Sequence, residues 1–392
     1  MYLGLFFASL FVHNFFLHYF ISWKLFFLFV LFYILKEREK LLKFAVKDVS
    51  VNTGIFLVFY SLLIGLWVPY RLRHFVLSVA LFVSILVYTV LLYHGKEIRQ
   101  KISTINGVLL LLLNAVLLIY FYNIFTYTPL QLHAHWVSAV GKRYILGNSH
   151  LSFTFVGIDL LPRLSGLHLG PNLFSLYCGI ALFLGIRGFR KNRTWISGAL
   201  ILVSVLSLFL TLSRGGILSM GFSMLLAAMV LSLRKRDVRP VLIYFIISIS
   251  ICVLVFLIVP DIRHILEVRF SSMWNGSELR FRYWGDYVLF MGKFLGRGFG
   301  FGENVFGYYA HNTYLSVLIG LGILGLTIFL FLLSFHVVAA FSKAEFESLG
   351  LLFFIVLLGL TLDLQFEVGF WMALALVRIF SGGENEYSAG SS

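Results

Sequence analysis

Three short polar segments interrupt a largely apolar chain, and their residue types suit work on an anionic or hydroxyl-bearing ligand. The first, Thr211–Gly216, reads TLSRGG and sets Arg214 between Ser213 and the glycines Gly215 and Gly216. Glycine lets the backbone bend and approach a ligand without a Cβ clash. A helix expected to begin near Ile217 would turn its N-terminal N–H groups and positive dipole end toward the same spot. Arginine beside a helix N-terminus suits a phosphate group. An ordinary turn with an interfacial arginine fits the same residues. The second segment contains SELRFRYW, in which Arg280 and Trp284 lie four apart and so share a helix face, with Arg282 between them. Its alternatives are a ligand-binding helix and an amphipathic surface helix whose arginines face lipid headgroups. The third, Ala310–Leu315, reads AHNTYL. An unperturbed imidazole has a pKa of about 6.5, so His311 could accept a proton at neutral pH. An interfacial histidine capping a helix start together with Asn312 is the plainer alternative.

Other patterns carry less. Gly296–Gly302 (GRGFGFG) has glycine spacing like that of a dinucleotide loop, but lacks the preceding strand and following helix such a site needs. It reads as a flexible aromatic-glycine loop. His133, His135, His150 and His168 share one polar stretch, but their spacing matches no zinc pattern. Neither a Ser-His-Asp arrangement nor a carboxylate pair is evident, and no metal or cofactor is expected.

The elements that must position these segments are membrane helices. Apolar residues make up 60% of the 392 and charged residues 12%, against about 45–50% and about 25% in soluble domains. An all-α polytopic membrane protein follows. Runs near the ~20 residues needed to cross a bilayer fall at roughly 2–17, 21–35, 53–69, 75–93, 105–125, 171–187, 194–212, 217–233, 241–259, 313–335, 348–363 and 366–380. The expected frame is thus one transmembrane domain over 1–380 with about twelve helices. The tail 381–392 (SGGENEYSAGSS) is expected to be disordered.

The net charge of +14 records topology. Lys36–Lys47, Lys96–Lys101, Arg187–Arg193 and Arg234–Arg239 are basic loops that alternate along the chain, so they lie on one side and place both termini in the cytoplasm. The long polar segments at about 126–170 and 260–312 then fall outside, together with all three chemical segments. Nucleic-acid binding is not implied. Cys178 and Cys252 lie in apolar runs and define no disulfide framework. The spans hold few ionisable groups and show no broken inverted repeat, which disfavours an ion-coupled carrier. A lipid-linked-oligosaccharide flippase stays open.

Taken in order, Gly170-Pro-Asn172 opening a span, Ser213-Arg-Gly-Gly216, Arg280 with Trp284, the Gly296–Gly302 run, His311-Asn312 with Tyr314-Leu315, and the helix start at Gly322–Gly325 resemble the O-antigen ligase/polymerase superfamily of bacterial envelope glycosyltransferases. The resemblance covers about residues 165–335. It implies a GT-C-like membrane fold in the bacterial inner membrane and a periplasmic active site. The implied reaction is inverting transfer of a glycan from undecaprenyl diphosphate to lipid A–core, without metal or cofactor. Arg214 and Arg280 match the family's arginines and would hold the donor diphosphate, with Ser213 and Gly215 beside them. His311 matches its histidine, as base or positioner. Asn312, Trp284, Asn172 and Arg282 are candidate supporting residues. Within the family, the ligase branch is favoured over the polymerases, which match the His-Asn and Ser-Arg-Gly segments less cleanly. Protein O-oligosaccharyltransferases resemble this chain plus extra C-terminal domains.

Overall fold

The computed structural model describes residues 36–126, 151–156, 159–164, 170–234, 279–289 and 294–382, with isolated positions 246 and 250. The helices are α1 Arg38–Lys47, α2 Val49–Ile64, α3 Arg71–Tyr93, α4 Gly95–Gln100, α5 Ile102–Thr126, α6 Pro171–Asn192, α7 Trp195–Leu210, α8 Arg214–Leu233, α9 Leu279–Val288, α10 Phe301–Phe306, α11 Thr313–Lys343, α12 Phe346–Gly359 and α13 Val368–Ser381. Among the described residues, α3, α6, α8 and α11 are long and apolar enough to cross a membrane, and α1 with α2, bent by 98°, is a possible fifth span. The architecture is helical and polytopic. The expected spans at 2–17, 21–35 and 241–259 fall outside the described residues.

Two expectations need correction. The chain is not wholly α-helical: β1 Leu151–Val156 and β2 Asp159–Leu164 pair antiparallel within the segment expected as the first outer loop. Leu151, Phe153 and Phe155 alternate with Ser152 and Thr154, a period-two pattern that suits a strand. At the other end, α13 runs through Ser381. Its hydroxyl is buried, donates to the Val377 carbonyl at 2.8 Å and meets the Ser348 hydroxyl at 2.5 Å, so order extends into the first residue of the expected tail.

The chain divides into two compact units. The first holds α5, the hairpin, α6, α7 and the start of α8. Asn106 on α5 ties its helices together, because its side-chain amide donates to the Leu184 carbonyl on α6 at 3.1 Å and to the Ser197 hydroxyl on α7 at 3.0 Å. At Gly216 a Cβ would lie 2.5 Å from Ser175 Cβ, so only glycine permits this approach of α8 to α6.

The second unit holds α1–α4 and α9–α13. Its core centres on Trp371 and Tyr88, both fully buried, with ring centroids 5.9 Å apart. A polar thread runs beside them. Asp48 caps α2 by accepting from the Ser50 and Val51 N–H groups, and Arg378 of α13 reaches its carboxylate at 2.8 and 2.9 Å. Ser50 continues to the Tyr88 hydroxyl at 2.7 Å, and Tyr88 to His336 at 2.9 Å.

The second unit also contains a broken helix. Gly322 has φ 75° and ψ −172°, a conformation open essentially only to glycine, and it splits α11 into a short leading piece and a long trailing one. A break in an apolar helix frees carbonyls that need new donors. Here each has one: Arg297 N–H donates to Ile319 at 2.8 Å, Gly298 N–H to Gly320 at 2.8 Å, and the Tyr60 hydroxyl to Leu321 at 3.0 Å.

Candidate functional site

In the first unit the Thr211–Gly216 segment is a tight helix-to-helix joint. The Thr211 hydroxyl closes α7 by donating to Leu208 O at 2.6 Å and accepts the Ser213 N–H at 3.1 Å. Leu212 takes a left-handed conformation, φ 49°. Ser213, 2% exposed, then caps α8: its hydroxyl accepts the Gly216 N–H at 3.2 Å. The helix therefore begins at Arg214 and not near Ile217, because the serine cap sets the start three residues earlier than the apolar run suggests. Arg214 and Gly215, both half-buried, occupy the first turn of α8, where the helix dipole favours an anion.

Asn172 stands in the first turn of α6, half-buried, and its carbonyl accepts from the Ser175 hydroxyl at 2.6 Å. Ser175 is the residue against which Gly216 packs. The starts of α6 and α8 are thus neighbours, and Asn172, Ser213, Arg214 and Gly215 share one region.

The second unit builds the histidine turn. Arg280 and Arg282 lie on α9 with Trp284. The Trp284 indole N–H donates to the Ala310 carbonyl at 2.9 Å, directly before His311. One turn on, the Tyr287 hydroxyl donates to the Tyr308 carbonyl at 2.9 Å, and Asp286 accepts from the Tyr308 hydroxyl. Tyr283 stacks on the Tyr308 ring at 3.9 Å between centroids and lies 6.4 Å from the His311 ring. Helix α9 thereby fixes the strand of backbone that carries His311.

His311 is half-buried with φ 49°, an uncommon conformation for a non-glycine residue. Asp363, in the turn between α12 and α13, holds it there. Its carboxylate accepts the His311 N–H at 2.9 Å and the Asn312 N–H at 3.4 Å, and bonds the Ser316 hydroxyl. Burial pushes the Asp363 carboxyl above the usual range, while the Ser316 hydroxyl and then His311 and Asn312 pull it back. Asn312 caps α11, its amide oxygen accepting the Tyr314 and Leu315 N–H groups at 3.0 and 3.1 Å. Thr313 adds a second tie to the same turn: its hydroxyl donates to Leu362 O at 2.7 Å and accepts the Leu364 N–H at 2.8 Å. The supporting roles foreseen for Asn312 and Trp284 are therefore backbone roles, which set the position of His311.

The Gly296–Gly302 run, expected to be flexible, is instead held. Gly296, Gly298 and Gly300 have φ of 79°, 86° and 82°, and their segment lies against the break in α11. A Cβ on Gly322 would meet Phe294 O at 2.2 Å, and one on Gly296 would meet Gly320 O at 2.5 Å. The loop is rigid because both backbones use glycine to come this close and then exchange hydrogen bonds. His74 of α3 anchors it further. The His74 Nδ1 accepts the Phe299 N–H at 2.8 Å while its Nε2–H donates to Ser61 O at 2.6 Å, which fixes the neutral tautomer. Beside it, Arg73 pairs with Glu303 of α10 and donates to the Tyr309 hydroxyl at 3.2 Å.

Asp363 was not among the residues singled out from sequence. The signal available was a pair of acids, Asp363 and Glu367, at the turn between the last two expected spans, but nothing in one dimension connects Asp363 to His311, 52 residues earlier. The histidines at 133, 135, 150 and 168 lie outside the described residues.

The search of curated proteins matches nothing. Residues 198–330, however, match the family described as O-antigen ligase. That stretch carries Ser213–Gly215, Arg280–Trp284, the glycine run and His311–Asn312, while Asn172 and Asp363 lie beyond it. The likeness to the O-antigen ligase family is carried by this segment, about a third of the chain.

Proposed function

We propose that this protein is an O-antigen ligase. It transfers a glycan from undecaprenyl diphosphate to lipid A–core at the periplasmic face of the bacterial inner membrane, completing lipopolysaccharide. The observation that carries the reading is the His311 turn. An imidazole is presented at the start of a broken helix, with its backbone locked by Asp363 and by the Trp284 bond to Ala310. Such locking suits a group that must meet one hydroxyl in one geometry.

The chemistry follows from the residues. The acceptor hydroxyl oxygen attacks the anomeric carbon while the bond from that carbon to the diphosphate oxygen breaks. His311 takes the hydroxyl proton, and undecaprenyl diphosphate leaves with the bonding electrons. In-line attack inverts the anomeric centre. Charge grows on the leaving diphosphate, and guanidinium donors stabilise it without a metal or other cofactor. Arg214 takes this role from the first turn of α8, where the helix dipole adds to its charge. Arg280 takes it from α9, with Arg282 on the same helix. The polyprenyl tail lies among membrane lipids. The proposed frame is one transmembrane domain over 1–380 with twelve spans, a GT-C-like fold and cytoplasmic termini.

The test is reconstitution of purified protein in proteoliposomes with undecaprenyl-diphosphate glycan and lipid A–core, with and without chelator. Lipid A–core bearing glycan, formed equally in both arms, is the expected product. Elongation of the lipid-linked glycan with no transfer to lipid A–core would mark a polymerase. Movement of labelled donor across the bilayer with no acceptor required would mark a flippase.

A further inference from the structure

Helix α1 of the second unit has no part in the reaction above, and its three faces differ. Leu41 and Ala45, four apart, are buried. Phe44 beside them packs edge-on to Tyr93, the last residue of α3, at 5.9 Å between ring centroids. On a second face Leu42 and Val46, again four apart, are 63% and 73% exposed. Lys40, Lys43 and Lys47, spaced by three and four, form a third face that is also exposed. Glu37, just before the helix, pairs with Lys40 at 3.2 Å. Within α1 itself the cations Arg38, Lys40, Lys43 and Lys47 stand against a single acid, Glu39.

The neighbours of α1 fix its direction. The Ser50 hydroxyl meets that of Tyr88 at 2.7 Å and the Ser61 hydroxyl meets that of Ser78 at 2.7 Å, so α2 runs antiparallel along α3. Helix α3 is long and apolar enough to cross a membrane, and α1 is bent by 98° from α2. Helix α1 therefore lies across the direction of α3, at the end marked by Tyr93. There it is parallel to the bilayer plane and at the bilayer surface. The bend comes from Asp48, whose extended backbone (φ −93°, ψ 110°) ends α1 while its carboxylate caps α2. Adjoining apolar and basic stripes on such a helix fit the boundary between acyl chains and headgroups. Leucine and valine enter the apolar side, and lysines on long apolar stems reach the polar one. Neither water nor the acyl region alone suits both stripes.

We propose that α1 is an interfacial binding site for anionic phospholipid, in which Lys40, Lys43 and Lys47 hold phosphate-bearing headgroups while Leu42 and Val46 enter the acyl boundary. The positive balance of the helix selects anionic over zwitterionic lipid, since each lysine near an anionic membrane surface is worth about fivefold in affinity. The site is independent of the reaction proposed above.

The test uses the full-length chain in nanodiscs of phosphatidylcholine and phosphatidylglycerol. Leu42→Cys, Lys43→Cys, Val46→Cys and Lys47→Cys, one at a time in a chain carrying Cys178→Ala and Cys252→Ala, are labelled with bimane. Brominated lipid should quench the fluorophore at positions 42 and 46, and aqueous iodide at 43 and 47. At position 46, quenching by brominated phosphatidylglycerol and by brominated phosphatidylcholine gives their relative affinity. A preference of at least about tenfold for phosphatidylglycerol is expected, falling to near one when Lys40→Gln, Lys43→Gln and Lys47→Gln are combined. Equal iodide access at all four positions would overturn the proposal and point to a soluble partner. A preference missing from the chain with all three lysines, or unchanged without them, would also overturn it. A second readout needs no cysteine changes. Phosphatidylglycerol should raise the melting temperature of wild type more than that of the triple lysine variant, and equal shifts would count against the site.

Discussion

Asp363 accepts the backbone N–H of His311 at 2.9 Å across 52 residues of sequence, and so ties the turn between α12 and α13 to the histidine at the head of α11. The carboxylate touches the main chain of the histidine turn, so in the proposed reaction it would be a positioning residue, acting through the placement of the ring.

Removing that carboxylate should therefore cost rate without removing the base. Asp363→Ala is expected to lower kcat by about 10²-fold, since misplacing a reactive group by about 1 Å has an effect of that size. Asp363→Asn, which keeps an acceptor oxygen for one N–H, should retain more. Steady-state kinetics on both variants, with donor affinity measured separately, check this. Equal loss in the two would mean the charge matters more than the hydrogen bond.

The same group gives a pH expectation. Burial raises the Asp363 carboxyl, so its protonation begins above the usual carboxylate range. As pH falls through that raised value the carboxylate loses its charge, its hold on the two N–H groups weakens, and kcat should decline. The Asp363→Asn profile should lack that acid limb. For stability the sign is opposite. A carboxyl raised in the folded state disfavours folding as pH climbs from the unfolded value of about 3.9 toward the folded one.

Much of this arrangement was legible in one dimension. The apolar runs located α2, α3, α5–α8 and α11–α13, because a spanning helix declares itself by composition alone. Arg214 and His311 stood out as polar residues at the ends of such runs, and Arg280 by its spacing of four from Trp284 within a polar segment. What could not be read was the partnering. Ser213 looked like a ligand contact and is a helix cap, since a serine before a helix serves both roles with the same atoms. Gly296–Gly302 looked flexible because glycine is conformationally free. Only the contact with Gly322 shows that the freedom is spent on close backbone approach. Asp363 lay in a turn whose neighbours in space come from α9, α10 and α11, and no local pattern encodes that.

The glycine contact is itself testable. Gly322→Ala would force a Cβ to within 2.2 Å of the Phe294 carbonyl and strain a backbone with φ 75°. It should lower the yield of folded protein and its melting temperature. Gly221→Ala on α8, where nothing lies within 4 Å, should be tolerated and serves as the control. Thermal melts in detergent decide between them, and equal melts would mean the break in α11 relaxes freely.

The Asp48–Arg378 pair predicts acid sensitivity. Burial works to raise the Asp48 carboxyl, but Arg378, then Ser50 and Val51, hold it below the usual range. The stability it contributes is full above the unfolded value of about 3.9 and is lost as pH falls through the depressed folded value. Arg378→Met should destabilise by about 3–5 kcal/mol, because it leaves a partly buried carboxylate without its partner. Adding Asp48→Asn should recover part of that loss. Urea or thermal unfolding of the single and double variants at neutral and acid pH measures both effects.

At the other pole of the proposed reaction, Arg214→Ala should lower kcat by about 10²–10³-fold, the cost of losing one donor to developing charge. Arg214→Lys should recover only part, because a point charge does not reproduce the planar fork of a guanidinium. Rates near wild type in Arg214→Ala would remove it from the site.

The most direct test of the account is the His311→Ala variant, assayed with undecaprenyl-diphosphate glycan and lipid A–core under saturating donor and acceptor, with donor binding measured independently. A base role predicts a fall in kcat of about 10²–10⁴-fold with donor affinity unchanged. Wild-type turnover, or a defect confined to donor binding, would contradict it.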